Sequence, residues 1–153
     1  MVLIKFLVNQ LILLENKVVF RGENMNIAYK IVILFTMIFC HIVDDYYLQG
    51  WLASAKQKSW WEKNAPEKLY KYDYIAALFM NSFSWSFMIM LPPTIALMIT
   101  GGIWKPVLLI VNLMIHMFVD NLKANEKKIN LIQDQIIHVI QIIFTWWILI
   151  GIL

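Results

Sequence analysis

The sequence is that of an all-α protein, a polytopic membrane bundle with about four transmembrane helices. Three observations lead there. Hydrophobic residues fill 61% of the 153 positions and charged ones only 15%, more apolar surface than a soluble domain of this length can hide. The apolar residues fall into four runs long enough to cross about 30 Å of hydrocarbon as helices. Short polar segments rich in lysine separate those runs.

The first span is expected from about Ile27 to Leu48, its last turns becoming polar. A basic segment, 53–72, follows and carries Lys56, Lys58, Lys63, Lys68 and Lys71 with Trp60 and Trp61. The second span starts near Tyr74 and runs through Pro92-Pro93 to about Ile99, closed by Gly101-Gly102. Two prolines in succession remove backbone donors, so this span is expected to be broken or kinked there. The third span runs from about Trp104 to Leu122, a polar turn covers 123–130, and the fourth span runs from about Leu131 to Ile152.

Residues 25–153 thereby form a single transmembrane helical domain. Residues 1–24 stand apart. Met1 to Leu14 is apolar but interrupted by Lys5, Asn9 and Gln10, too short to span a bilayer and without a small-residue cleavage site. Arg21-Gly22-Glu23, just ahead of Met25, can be encoded by a purine-rich stretch resembling a bacterial ribosome-binding site. Translation is therefore expected to start at Met25, making 1–24 a translated leader, with an interfacial helix as the alternative.

Cys40 is the only cysteine, so there is no disulfide framework and no thiolate metal site. The net charge of +3 sits in two lysine-rich segments, with no basic patch interleaved with aromatics of the kind that binds nucleic acid. Membrane lipid is the expected surrounding partner, and a homo-oligomer is left open. Four spans put the first and third connections on one side, with Lys56, Lys58, Lys63, Lys68, Lys71, Lys123, Lys127 and Lys128. The other side, counted from Met25, holds Lys30 and Lys105. The positive-inside rule then places loops 53–72 and 123–130 in the cytoplasm of a bacterial inner membrane, with an aromatic belt of Trp60, Trp61, Tyr70, Tyr72 and Tyr74.

Ionisable residues inside the spans are grouped. His41 and Asp45 are four apart near the end of the first span, with Asp44 beside them and Gln49 continuing the stripe. His116 and Asp120 repeat the spacing in the third span, with Asn112 before them and Lys123 after. Asp134 and His138 do so at the start of the fourth, with Gln141 a turn further on. Residues four apart share a helix face. The first and third spans run toward the basic loops and the fourth runs away, so all three pairs lie at one membrane level. Asn81, Ser82 and Ser84 of the second span lie one to three turns inside the same end. A charge in hydrocarbon costs roughly 2.5–3.5 kcal/mol even on gentle insertion scales, so the stripes are expected to face one shared polar cavity.

Imidazole and carboxylate ligate zinc, manganese or iron. His41, His116 and His138, with Asp45, Asp120 and Asp134 as ligands, orienting groups or general base, make a candidate site for one divalent metal or a bridged pair. Such a metal generates a nucleophile from water at neutral pH. The plainer readings are interhelical glue for each histidine, solvation for each aspartate, and a Lys123 pair with Asp120 or Glu126. Ser82, Ser84 and Ser86 read as helix-packing residues, and the tryptophans as packing or interface anchors.

At these residues the chain resembles the domain of unknown function 3307 family of bacterial and phage membrane proteins. The resemblance rests on His41-Ile-Val-Asp-Asp45-Tyr-Tyr-Leu-Gln49, His116-Met-Phe-Val-Asp120-Asn-Leu-Lys123 and Asp134-Gln135-Ile-Ile-His138, and covers essentially 25–153. It implies a membrane-helical fold and adds Gln135 to the residues lining the cavity. Asn81 stands where the family often has a histidine, which removes one ligand from the set the family would offer. The resemblance implies no activity. The leading expectation is a metal-dependent membrane hydrolase. The rivals are a proton or ion pathway, and a structural or interaction protein, phage-encoded, whose polar pairs only fix helix register.

Overall fold

A computed structural model describes residues 25–152, so the leader and interfacial readings of 1–24 lie outside the described residues. Helix α1 is Ile27–Val43, started by the Asn26 side chain, which accepts from the Ala28 N–H at 2.9 Å. It continues into a wider, π-helical turn, Asp44–Leu48. Two short helices, α2 (Leu52–Ala55) and α3 (Lys58–Asn64), and a 3-10 turn (Lys68–Tyr70) break up the basic segment. The long helix α4 (Asp73–Thr100), then α5 (Val107–Ala124) and α6 (Leu131–Trp146) complete the bundle. Asn130 and Gln133 cap α6 reciprocally, which satisfies backbone donors that a helix start leaves open.

No strand is present among the described residues, and four segments are long and apolar enough to cross a membrane: Ile27–Leu48, Lys68–Thr100, Val107–Ala124 and Leu131–Gly151. The interruption expected at Pro92-Pro93 lies elsewhere. The second segment bends at residues 71–72, where Tyr72 (φ −112°, ψ 5°) leaves the helical region and Asp73 opens α4. An aspartate there meets the positive end of the helix dipole. Pro92 and Pro93 both sit inside α4, which continues to Thr100. Transmembrane helices tolerate prolines where neighbouring elements compensate for the lost donor, and Pro93 is buried. The helix ends where expected: Gly101 takes a left-handed conformation (φ 69°), and the Gly102 N–H closes back on the Leu97 carbonyl at 2.9 Å.

Burial runs opposite to that of a soluble protein. Large apolar side chains such as Phe35, Phe39, Met98, Phe118 and Ile132 point outward, while the three histidines and Asp44, Asp120 and Asp134 are buried. The interior is divided along its length. Toward the end with Gly101, an apolar core is built from Met37, Ile89, Met90, Leu97, Ile142, Leu149 and Ile150. Toward the end with the basic loops, the interior is polar. Those two loops meet there: Asn125, after α5, donates to the Lys56 carbonyl at 3.1 Å and accepts from the Lys58 N–H at 2.7 Å.

Candidate metal centre

Helix parity predicts that the three His/Asp pairs converge, and the distances agree. The His116 and His138 rings stack with centroids 4.2 Å apart, and His41 and His138 lie 5.8 Å apart. His116, Asp120 and His138 form a tighter subset in which one ligand-type atom from each lies within 4.8 Å of the others. All three are buried, with His116 and His138 at 0% exposure. Asp120 Oδ2 is 3.6 Å from His116 Nε2, Asp120 Oδ1 is 3.7 Å from His138 Nε2, and Asp134 Oδ1 is 3.4 Å from the same nitrogen. Bonds of about 2.1 Å to a tetrahedral zinc put ligand atoms about 3.4 Å apart, so these separations suit a metal.

Hydrogen bonding separates the histidines further. The Trp85 indole N–H donates to His41 Nδ1 at 2.7 Å. Indole can only donate, so His41 carries its proton on Nε2, which donates to Gln135 Oε1 at 3.0 Å. The Gln135 amide then donates to Asp45 Oδ2 at 3.1 Å and Asp134 Oδ2 at 3.2 Å. Gln49 donates to Asp45 Oδ1 at 3.3 Å. Both nitrogens of His41 are engaged, which leaves no lone pair for a metal. By contrast His116 Nδ1 and both nitrogens of His138 are buried without a hydrogen-bond partner, as is Asp134 Oδ1. Buried polar atoms ordinarily find a partner; of these nitrogens His138 Nε2 faces two carboxylates, the setting of a divalent-cation ligand.

The remaining candidates spread around this core. Asn81 donates to Asp120 Oδ2 at 2.9 Å and lies 3.4 Å from His116 Nε2. Lys123 donates to Asp134 Oδ2, rather than to Asp120 or Glu126. Asp44 turns from Asp45 toward α4 and accepts from the Ser84 hydroxyl at 2.6 Å, so Ser84 is more than a packing residue. Asn112 belongs to a separate layer one turn deeper: its Oδ1 accepts from Gln141 at 2.8 Å and from Thr145 at 3.0 Å. The single shared cavity expected from the stripes is thus a packed network with two layers.

Two central residues escaped the sequence reading. Trp85, at the heart of the cluster, stacks on His116 at 4.2 Å and 19° besides fixing His41. Lys56, counted as a loop lysine, is buried with its ammonium 2.7 Å from Asp120 Oδ2. Trp85 had a local signal, since it shares a helix with Asn81 and Ser82 at near-helical spacing. For Lys56 only the short helical segment before it could have hinted that the chain turns back inward.

No family model matches the chain, and neither a curated protein nor a solved structure does so.

Proposed function

We propose that the chain is a multi-pass protein of the bacterial inner membrane. In this reading His116, Asp120 and His138 bind a divalent metal, zinc or manganese. The protein then hydrolyses an ester, phosphoester or amide presented by a lipid or a membrane protein. One observation carries the reading. Three ligand-type side chains meet in a buried setting, where His138 Nε2 faces the carboxylates of Asp120 and Asp134 and has no hydrogen-bond partner. The two imidazoles supply nitrogen ligands and Asp120 a carboxylate oxygen. Asp134, 3.4 Å from His138, orients that ring or serves as general base. Gln135, held by His41 and Asp45 across from α6, donates to Asp134 and fixes its carboxylate. The chemistry a divalent metal supplies at such a site is activation of water at neutral pH and polarisation of an acyl or phosphoryl oxygen.

The lysine count that favours cytoplasmic loops puts this site at the cytoplasmic headgroup level, where a lipid ester or phosphoester sits. Membership of the domain of unknown function 3307 family, proposed on the three motifs, adds no activity to this reading. The test is elemental analysis of intact, detergent-purified protein. A stoichiometric divalent metal is expected, and metal-free protein that also fails to take up zinc or manganese removes the reading.

A proton or ion path is favoured by one observation, the deeper polar layer of Asn112, Gln141 and Thr145 that prolongs the site into the bundle. Beyond it the interior is closed by Leu97, Leu149 and Ile150. Proton flux in liposomes that vanishes in Asp120→Asn would support the path, and tight liposomes would remove it.

A further inference from the structure

Lys56 ends α2, and its ammonium is the only one in the buried group of the described residues, at 5% exposure. Three hydrogen bonds hold the chain around it. The Asn125 side chain grips the backbone on both sides of Gln57, and the Trp61 indole donates to the Ala55 carbonyl at 2.6 Å. Trp51, Trp60 and Trp61 pack edge to face at 5.0–6.0 Å. Residues 51–64 therefore form a cap over the polar end of the bundle, and Lys56 is the charge it points inward.

That charge meets Asp120 Oδ2 at 2.7 Å, the oxygen that also stands 3.6 Å from His116 Nε2. A buried ammonium is tolerated only against a partner, and Asp120 is the sole carboxylate in the tight group with His116 and His138. One carboxylate thus faces two claims. A divalent cation bound among the three side chains would stand within a few ångströms of the Lys56 ammonium, in a setting that screens like charges weakly.

We propose that Lys56 is an internal cation that competes with the metal for Asp120, so that loading the site releases Lys56 and loosens the cap. The proposal rests on the metal reading of His116, Asp120 and His138. Linkage makes the antagonism reciprocal: the factor by which metal weakens Lys56 docking is the factor by which docked Lys56 weakens metal binding.

The test is the zinc affinity of the full chain in detergent, measured against a chromophoric chelator, for the native protein and for Lys56→Gln. The variant is expected to bind at least about tenfold tighter. Equal or weaker binding by the variant overturns the competition and leaves the metal reading standing. Failure of both proteins to bind zinc overturns the metal reading and the competition with it. A second measurement needs no variant to fold. A water-soluble amine-acylating reagent is applied to the native protein with and without zinc, and mass spectrometry compares Lys56 with the exposed Lys58. Zinc is expected to raise Lys56 labelling several-fold relative to Lys58, and unchanged protection of Lys56 in zinc-loaded protein overturns the proposal.

Discussion

His41 enters the cluster from α1 with both ring nitrogens engaged, by Trp85 on one side and Gln135 on the other. His116 and His138 enter from α5 and α6, and three of their four nitrogens have no hydrogen-bond partner. All three residues share the same four-residue spacing to an aspartate and the same burial. The difference comes from one neighbour. An indole N–H aimed at Nδ1 fixes the His41 tautomer and makes that ring a relay from α4 to Gln135. His116 Nε2 has only the Asn81 amide at 3.4 Å, and His138, with no donor at all, keeps a lone pair that only a cation or a proton can use. Equal sequence signals therefore hide unequal roles: α1 supports the site, and α5 and α6 carry it.

The contrast can be broken in four ways. Asp120→Leu strikes the carrying side hardest, because it strands the Lys56 ammonium. A loss of about 3–5 kcal/mol is expected for a broken buried pair, read as thermal unfolding in detergent, together with loss of metal uptake. His138→Ala is expected to lower metal affinity by more than about 100-fold, beyond what outer-shell changes do, whereas His41→Ala should stay within about tenfold. Equal losses at the two positions would erase the distinction between the sides. Trp85→Phe keeps the ring and removes the N–H. It should cost about 1 kcal/mol and change the nitrogen resonances of His41 while leaving metal stoichiometry intact. An unchanged His41 spectrum would mean that the indole does not set the tautomer. Thr145→Val, in the deeper layer, is expected to cost only about 0.6 kcal/mol and to leave metal affinity unaltered. A larger effect on metal would join the two layers into one site.

Much of this arrangement was legible from spacing and chain direction. The bounds of the first span, the convergence of three pairs from three helices, and the glycine stop after α4 all follow from local rules that lipid enforces strictly. The course of α4 through Pro92-Pro93 was not, because proline weakens a helix locally while packing decides whether it breaks. Nor was the inward turn of Lys56, since a lysine among lysines carries no mark of its partner. Ser84, paired with Asp44, and Trp85, lodged among the histidines, read as packing residues because a lone hydroxyl or indole in an apolar run usually is one. Tertiary contacts alone assign them.

The π-helical turn at Asp44–Leu48 bears on how the chain tolerates change in length. It sends neighbouring carboxylates to different helices, Asp44 to Ser84 of α4 and Asp45 to Gln135 of α6, while everything downstream is placed by the wider winding. A turn closed over five residues holds one residue more than an α-helical turn. Deleting one residue as it reverts to ordinary α-helix therefore leaves the following chain near its present phase, whereas inserting one would rotate that chain by about 100° and advance it by about 1.5 Å. Lys56 would then point away from Asp120, and Asn125 would lose its grip on the cap. The stretch from Asp44 to Lys56 is thus held in phase by that extra residue, so a single-residue insertion there should be far more damaging than a deletion within the wide turn.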